Sequence, residues 1–117
     1  MKQAPVEPKK VEVTEKNVNQ LLPAKLPEPH TKGLIKASGV QVVNATNYVT
    51  VGLAWRELGK GTWNYVGDVQ PLNESFVISP PVAEYEFVVW LYPNYTIYYY
   101  QQYERDPASF VSIVTVR

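Results

Sequence analysis

The chain has 117 residues, eleven basic and eleven acidic side chains for a formal net charge of zero, and an apolar content of 45%. That length suits one domain with a core of its own, and the zero charge leaves no general basic field to attract nucleic acid, so no nucleic-acid partner is expected. The absence of cysteine excludes disulfides, thiolate metal sites and a cysteine nucleophile.

No apolar run approaches the roughly 18 residues that span a bilayer. The first ten residues, MKQAPVEPKK, lack the apolar core of a secretory signal. The chain is therefore expected to be made inside a cell, as a virion protein is, or to be already processed.

Composition breaks near residue 32. Residues 1–32 hold five of the ten prolines (Pro5, Pro8, Pro23, Pro27, Pro29) and none of the aromatics, with six lysines and four glutamates. Such a segment cannot bury enough apolar surface to fold alone, and its prolines keep it extended. It reads as an N-terminal arm, with the body beginning at residue 33. Within the arm, Thr14 caps a predicted short helix over residues 14–22, stopped by Pro23. Val18, Leu21 and Leu22 share one face of it at i, i+3 and i+4. A helix this short is unstable in water unless docked, so these three residues are candidate contacts to a partner subunit.

The body reads as strands separated by turn signals. Leu34–Val43 is one or two strands interrupted at Ser38-Gly39, and residues 44–47 form a turn. Val49, Val51, Leu53 and Trp55 alternate with Tyr48, Thr50, Gly52, Ala54 and Arg56. Period two puts the first, larger set on a core and the second outward. Gly59, Lys60 and Gly61 make a tight connection to a partner strand carrying Trp63, Tyr65 and Val69. After a turn at residues 70–73, Ser75–Ser79 is a short strand closed by Pro80-Pro81. Glu84–Tyr92 is the clearest strand. Tyr85, Phe87, Val89 and Leu91 form its inner face, and Glu84, Glu86, Val88, Trp90 and Tyr92 its other face, which the glutamates mark as exposed at its start. Tyr95–Tyr103 and Ser109–Arg117 complete the set. About seven short strands and no helix in the body point to an all-β, antiparallel sandwich.

On these strands the chain resembles the fibronectin type III family of immunoglobulin-like sandwiches over residues 48–117. The segment Trp55-Arg56-Glu57-Leu58-Gly59-Lys60-Gly61-Thr62-Trp63 is similar to a Y-R-E-x-G-x-G-x-W pattern of that family, with tryptophan at its head. Ser75-Phe76-Val77-Ile78, Glu84-Tyr85-Glu86-Phe87-Val88-Val89 and Val114-Thr115-Val116 are similar to three of its other strands. The resemblance implies a binding or structural module. It places Tyr85 at the tyrosine corner, with its hydroxyl bonded back to the preceding connection.

No catalytic set stands out, and no enzyme activity, cofactor or metal is expected. His30 lies in the arm without a chemical partner nearby in sequence. Glu84 and Glu86 are read as solvated charges on the outer face of a strand, and Glu104 with Asp106 as part of a turn. The aromatic surface carries more content. Tyr92, Tyr95, Tyr98, Tyr99, Tyr100 and Tyr103 follow Trp90 within a short span, and period two cannot bury them all on one face. Trp90, Tyr92, Tyr95, Tyr98 and Tyr100 are the candidate partner-binding residues, for a protein neighbour or for glycans stacking on the rings. Three sequons put candidate glycosylation at Asn44, Asn73 and Asn94. Together these features lead to a non-enzymatic assembly subunit, a decoration, cement or appendage protein of a virion that docks on other subunits through its arm and its tyrosine-rich face. The alternative is an extracellular or cell-surface adhesion or carbohydrate-binding module.

Overall fold

Alternating β-branched and aromatic residues, cut at short intervals by proline, glycine and asparagine, leave the body few choices besides short strands. The computed structural model, which describes residues 13–22, 26–92 and 96–117, shows an all-β sandwich of eight strands. They are β1 (Ile35–Ala37), β2 (Gly39–Asn44), β3 (Val51–Glu57), β4 (Asn64–Val69), β5 (Glu74–Ile78), β6 (Glu84–Leu91), β7 (Thr96–Arg105) and β8 (Val111–Val116). A five-stranded sheet in the order β1-β7-β6-β3-β4 faces a three-stranded sheet in the order β5-β2-β8.

The ladders are not all antiparallel as expected. β1 pairs parallel with β7, and β2 pairs parallel with β8. The cause is a change of sheet at Ser38. The run from Leu34 to Val43 is two strands, and they belong to different sheets. At the crossing the Ser38 N–H donates to the Phe110 carbonyl at 2.8 Å. Gly39 then passes so close to β5 that a Cβ there would lie 2.7 Å from the Ile78 carbonyl oxygen, a position open only to glycine.

Between the sheets lies the main core. Val40 and Val42 of β2, Val51 and Leu53 of β3, Phe87 and Val89 of β6, Tyr103 of β7, and Val114 and Val116 of β8 meet there with Tyr85. The inner set expected for β6 thus faces the core, with Leu91 packed at its margin. At one end, buried Asn44 ties the sheets together. Its Nδ2 donates to the carbonyls of Val49 (2.6 Å) and Val69 (2.9 Å), and its Oδ1 accepts from the N–H and hydroxyl of Thr46.

The β3–β4 hairpin differs in detail from the tight Gly-Lys-Gly connection. Its loop covers residues 58–63, opens on a turn closed by Lys60 N–H to Glu57 O at 3.0 Å with Gly59 at φ +83°, and precedes a register shift opposite Leu53/Ala54. As a result Trp55 packs against the inter-sheet core while Trp63 turns to the opposite face of the sheet.

A third layer covers that opposite face. The arm residues 13–22 make two turns there, the second being a four-residue helix α1 (Val18–Leu21). The predicted helix is shorter than expected because residues 15–17 form a turn. In it Thr14 O accepts from Asn17 N–H and Val18 N–H, while the Thr14 hydroxyl accepts from the Lys16 N–H at 3.2 Å.

Candidate functional site

The outer face of the five-stranded sheet is apolar where β3, β6 and β7 run side by side. Ala54, Val88, Trp90 and Tyr100 are all buried there. Their positions follow from the ladder: Ala54 is opposite Val88, Val88 is opposite Tyr100, and Gly52 is opposite Trp90. Gly52 is small because the indole lies over it; any Cβ at residue 52 would overlap the Trp90 ring. Tyr65 and Tyr92 flank Trp90 at ring-centroid distances of 6.2 and 6.1 Å.

Onto this face the arm sets Val13, Val18 and Leu22, all buried, with Leu21 and Leu26 at the margin. Val18, Leu21 and Leu22 therefore do share one side, and it rests on the chain's own sheet. Two side-chain amides clasp the arm. The Asn19 Nδ2 donates to the Trp63 carbonyl at 3.2 Å while its Oδ1 accepts from the Trp63 N–H at 2.5 Å. From the sheet side, buried Gln101 accepts from the Thr31 N–H at 2.8 Å and donates to the carbonyls of Thr31 and Gly33. Each amide reproduces the donor and acceptor of a strand, so the arm is held as an added strand is held, with fixed register.

Beside the clasp is a buried polar cluster. The Glu86 carboxylate accepts from Arg56 Nε (2.5 Å), the Tyr100 hydroxyl (2.6 Å) and Gln102 Nε2 (3.2 Å). The Arg56 guanidinium also lies 4.3 Å from the centre of the Trp63 ring, a cation–π contact. This corrects the expectation that Glu86 is solvated; only Glu84 of the pair is exposed. Burial by itself would raise the Glu86 carboxyl, but the hydrogen bonds from Tyr100, Arg56 and Gln102 outweigh it and hold the carboxyl below its usual range. Burial, and then the bond to Glu86, pushes Tyr100 up to about 12. Burial first and Asp68 second push Tyr92 up to about 12. Tyr65 rises further, from burial and from its 2.8 Å bond to Asp68. None of these groups is poised to exchange a proton near neutrality. The cluster's chemistry is that of a hydrogen-bonded scaffold in which Glu86 is ionised and the tyrosines keep their protons.

The other expected site residues fall elsewhere. Tyr98 is 41% exposed and lies in an open recess of about 450 Å³ with His30, Tyr99, Ile113, Val114 and Thr115. The His30 and Tyr99 rings are 4.9 Å apart. Tyr95 and Asn94 lie outside the described residues. Asn44 is corrected as a glycosylation candidate, since it is 0% exposed and its Nδ2 is held by two carbonyls; Asn73 is exposed in a turn. Tyr85 stacks on Tyr103 at 5.4 Å, but among the described residues its hydroxyl has no hydrogen-bond partner and makes no bond back to the preceding connection. Burial, eased by Arg105, pushes it up to about 12. Glu104 lies 3.8 Å from Lys36, and Asp106 caps the Ala108 N–H. Among the described residues no cluster of three or more His, Asp or Glu is placed to hold a metal ion, and no helix is long and apolar enough to cross a membrane.

Asn19, Gln101, Trp63 and Arg56 are the site residues that sequence reasoning missed. One signal pointed to them. Val88 and Trp90 follow Glu86 on the face marked as exposed, and two such large apolar residues in alternation call for a cover. Fold and site together define a β-sandwich that carries its own docked arm. Comparison with family models, with curated proteins and with solved structures gave no match.

Proposed function

We propose that the chain is a non-enzymatic structural subunit of a larger assembly, of the kind that decorates, cements or forms appendages on a virion, and that the arm is the element exchanged between its subunits. The observation that supports this reading is the arm itself. Val13, Val18 and Leu22 with the Asn19 clasp form a ligand, and Ala54, Val88, Trp90 and Trp63 form its receptor, on one chain. A groove that binds its own arm binds the identical arm of a neighbour equally well, which is the physical basis of exchange between protomers. Arm and groove are joined by hydrogen bonds as well as apolar contact, which gives the exchange a defined register. Trp90 lies wholly beneath the arm, and this weighs against the glycan reading, in which that ring had to be exposed.

The experiment uses the absence of cysteine. Glu15 on the arm and Thr62 on the hairpin loop line one recess of about 320 Å³. One preparation carries Glu15→Cys and the other Thr62→Cys, and the two are mixed and oxidised. Exchange yields a covalent heterodimer joined arm to loop. A mixture that stays monomeric over days at high protein concentration overturns the proposal.

A further inference from the structure

Four strands close the margins of the two sheets, and three of them carry features that discourage a further strand. β1 is three residues long and bears Lys36, paired with Glu104. β4 contains the register shift and Gly67 at φ +152°. β5 starts on Glu74 and runs between Pro71 and Pro80-Pro81. These are the usual protections of a sheet edge. β8 has none of them. It reads Val-Ser-Ile-Val-Thr-Val, with no charge, proline, glycine or bulge, and among the described residues its one neighbour is β2.

The direction of its free backbone groups can be fixed. Ser38 N–H donates to Phe110 O and Ala45 N–H to Val116 O, both at 2.8 Å, so the even-numbered residues turn their peptide groups toward β2. By the alternation of a parallel ladder, Val111, Ile113 and Thr115 turn theirs to the open side. The side chains of the same three residues stand on the outer face, where Ile113 is 65% exposed. Their neighbours across the sheet are Gln41 and Val43 of β2, and beyond them Val77 and Ser75 of β5. Among the described strand residues that face bears no charged side chain.

We propose that the free edge of β8 pairs antiparallel with β8 of a second copy, across a two-fold axis at Ile113, joining two three-stranded sheets into one of six strands. The edge is complementary to itself. About that axis the open groups of Val111, Ile113 and Thr115 meet those of Thr115, Ile113 and Val111, giving about six inter-strand hydrogen bonds. The apolar outer faces become continuous, with no like charges brought together. The same register sets Arg117 of one copy beside Ser109 of the other, next to the turn that carries Asp106, so the charges at the ends of the ladder are opposite. The recess holding His30 and Tyr98 leaves the edge sterically open, and the second copy closes it. This interface lies on the sheet remote from the arm, so it goes beyond the proposed exchange.

A hydrogen-bonded antiparallel pair sets its Cα atoms about 5.5 Å apart, within reach of a disulfide. Ile113→Cys should therefore oxidise to a covalent dimer at least about tenfold faster than Val77→Cys on the far edge of the same face, because a millimolar effective concentration replaces the bulk one. In sedimentation velocity the full chain should show a concentration-dependent dimer. Ile113→Lys should sediment as a monomer with an unchanged circular dichroism spectrum, and Val18→Asp, which breaks the arm contact, should keep the dimer. A wild-type monomer at every concentration, equal oxidation rates at residues 113 and 77, a dimer that survives Ile113→Lys, or a dimer lost in Val18→Asp would each overturn the β8 pairing, the last by assigning the dimer to the arm.

Discussion

Gly52 and Trp90 form one cross-strand pair in which the absence of a side chain on one residue makes room for the largest side chain on the other. Gly52→Val must displace a fully buried indole, and overpacking of this kind costs about 1–3 kcal/mol. The loss should appear as a lower urea midpoint with an unchanged slope. Asn19 acts at the same scale by a different force. Asn19→Ala strips both partners from the Trp63 backbone, and an unsatisfied amide costs about 1–3 kcal/mol. Faster hydrogen exchange at the Trp63 amide, with exchange in the inter-sheet core unchanged, is the expected signature. Glu86 adds a pH dependence whose sign is fixed. Its carboxyl lies below the ordinary 4.5 in the folded chain, so its stabilising contribution is fully present above pH 4.5 and drains away as pH falls through the folded value. Glu86→Gln removes the charge from one side of the buried Arg56–Glu86 pair and should cost about 3 kcal/mol at neutral pH. The gap in melting temperature between wild type and Glu86→Gln should narrow steadily in acid.

At the scale of elements, the arm matters more to stability than its composition suggests. Removing residues 1–32 leaves the inter-sheet core intact but uncovers Ala54, Val88, Trp90 and Tyr100. The truncated chain should stay folded with red-shifted tryptophan emission and a lower melting temperature. The expected loss is about 3 kcal/mol, since two or three buried aliphatic side chains are lost and the ordering entropy of the arm is recovered. A truncated chain with unshifted emission would mean that the groove is covered by something other than the arm. This element also marks where the sequence stops being informative. Alternation in Glu84–Tyr92 identifies which residues share a face, and the inner set is right. Alternation does not say what lies on the second face. The covering segment has no period of its own beyond Val18, Leu21 and Leu22, and its clasps are single amides far away in the chain, Asn19 to Trp63 and Gln101 to Thr31. The sheet change at Ser38 was illegible for a similar reason. Parallel pairing of β2 with β8 joins residues that start 72 positions apart, Gly39 and Val111, and no local pattern encodes it.

For the molecule as a whole, the tyrosines link folding to alkaline pH. Tyr65, Tyr85, Tyr92, Tyr99, Tyr100 and Tyr103 all have hydroxyls raised above the ordinary 10.0, in each case with burial as the largest cause. They are spread over both apolar layers: Tyr85, Tyr99 and Tyr103 line the inter-sheet core, while Tyr65, Tyr92 and Tyr100 lie beneath the arm. A raised value means that the folded chain holds the proton more tightly than the unfolded one. The stability tied to these groups is complete below pH 10 and is lost as pH rises through the folded values, which reach about 12 for Tyr85, Tyr92 and Tyr100. Because both layers hold such groups, the arm and the sandwich should fail in the same window. Strand circular dichroism and the larger part of the tyrosinate absorbance, followed together between pH 9 and 13, should show one coincident transition centred between about 10 and 12. If most of the phenolates instead formed near pH 10 while the strand signal persisted, the six rings would be in contact with water, and the packing of both layers would have to be revised.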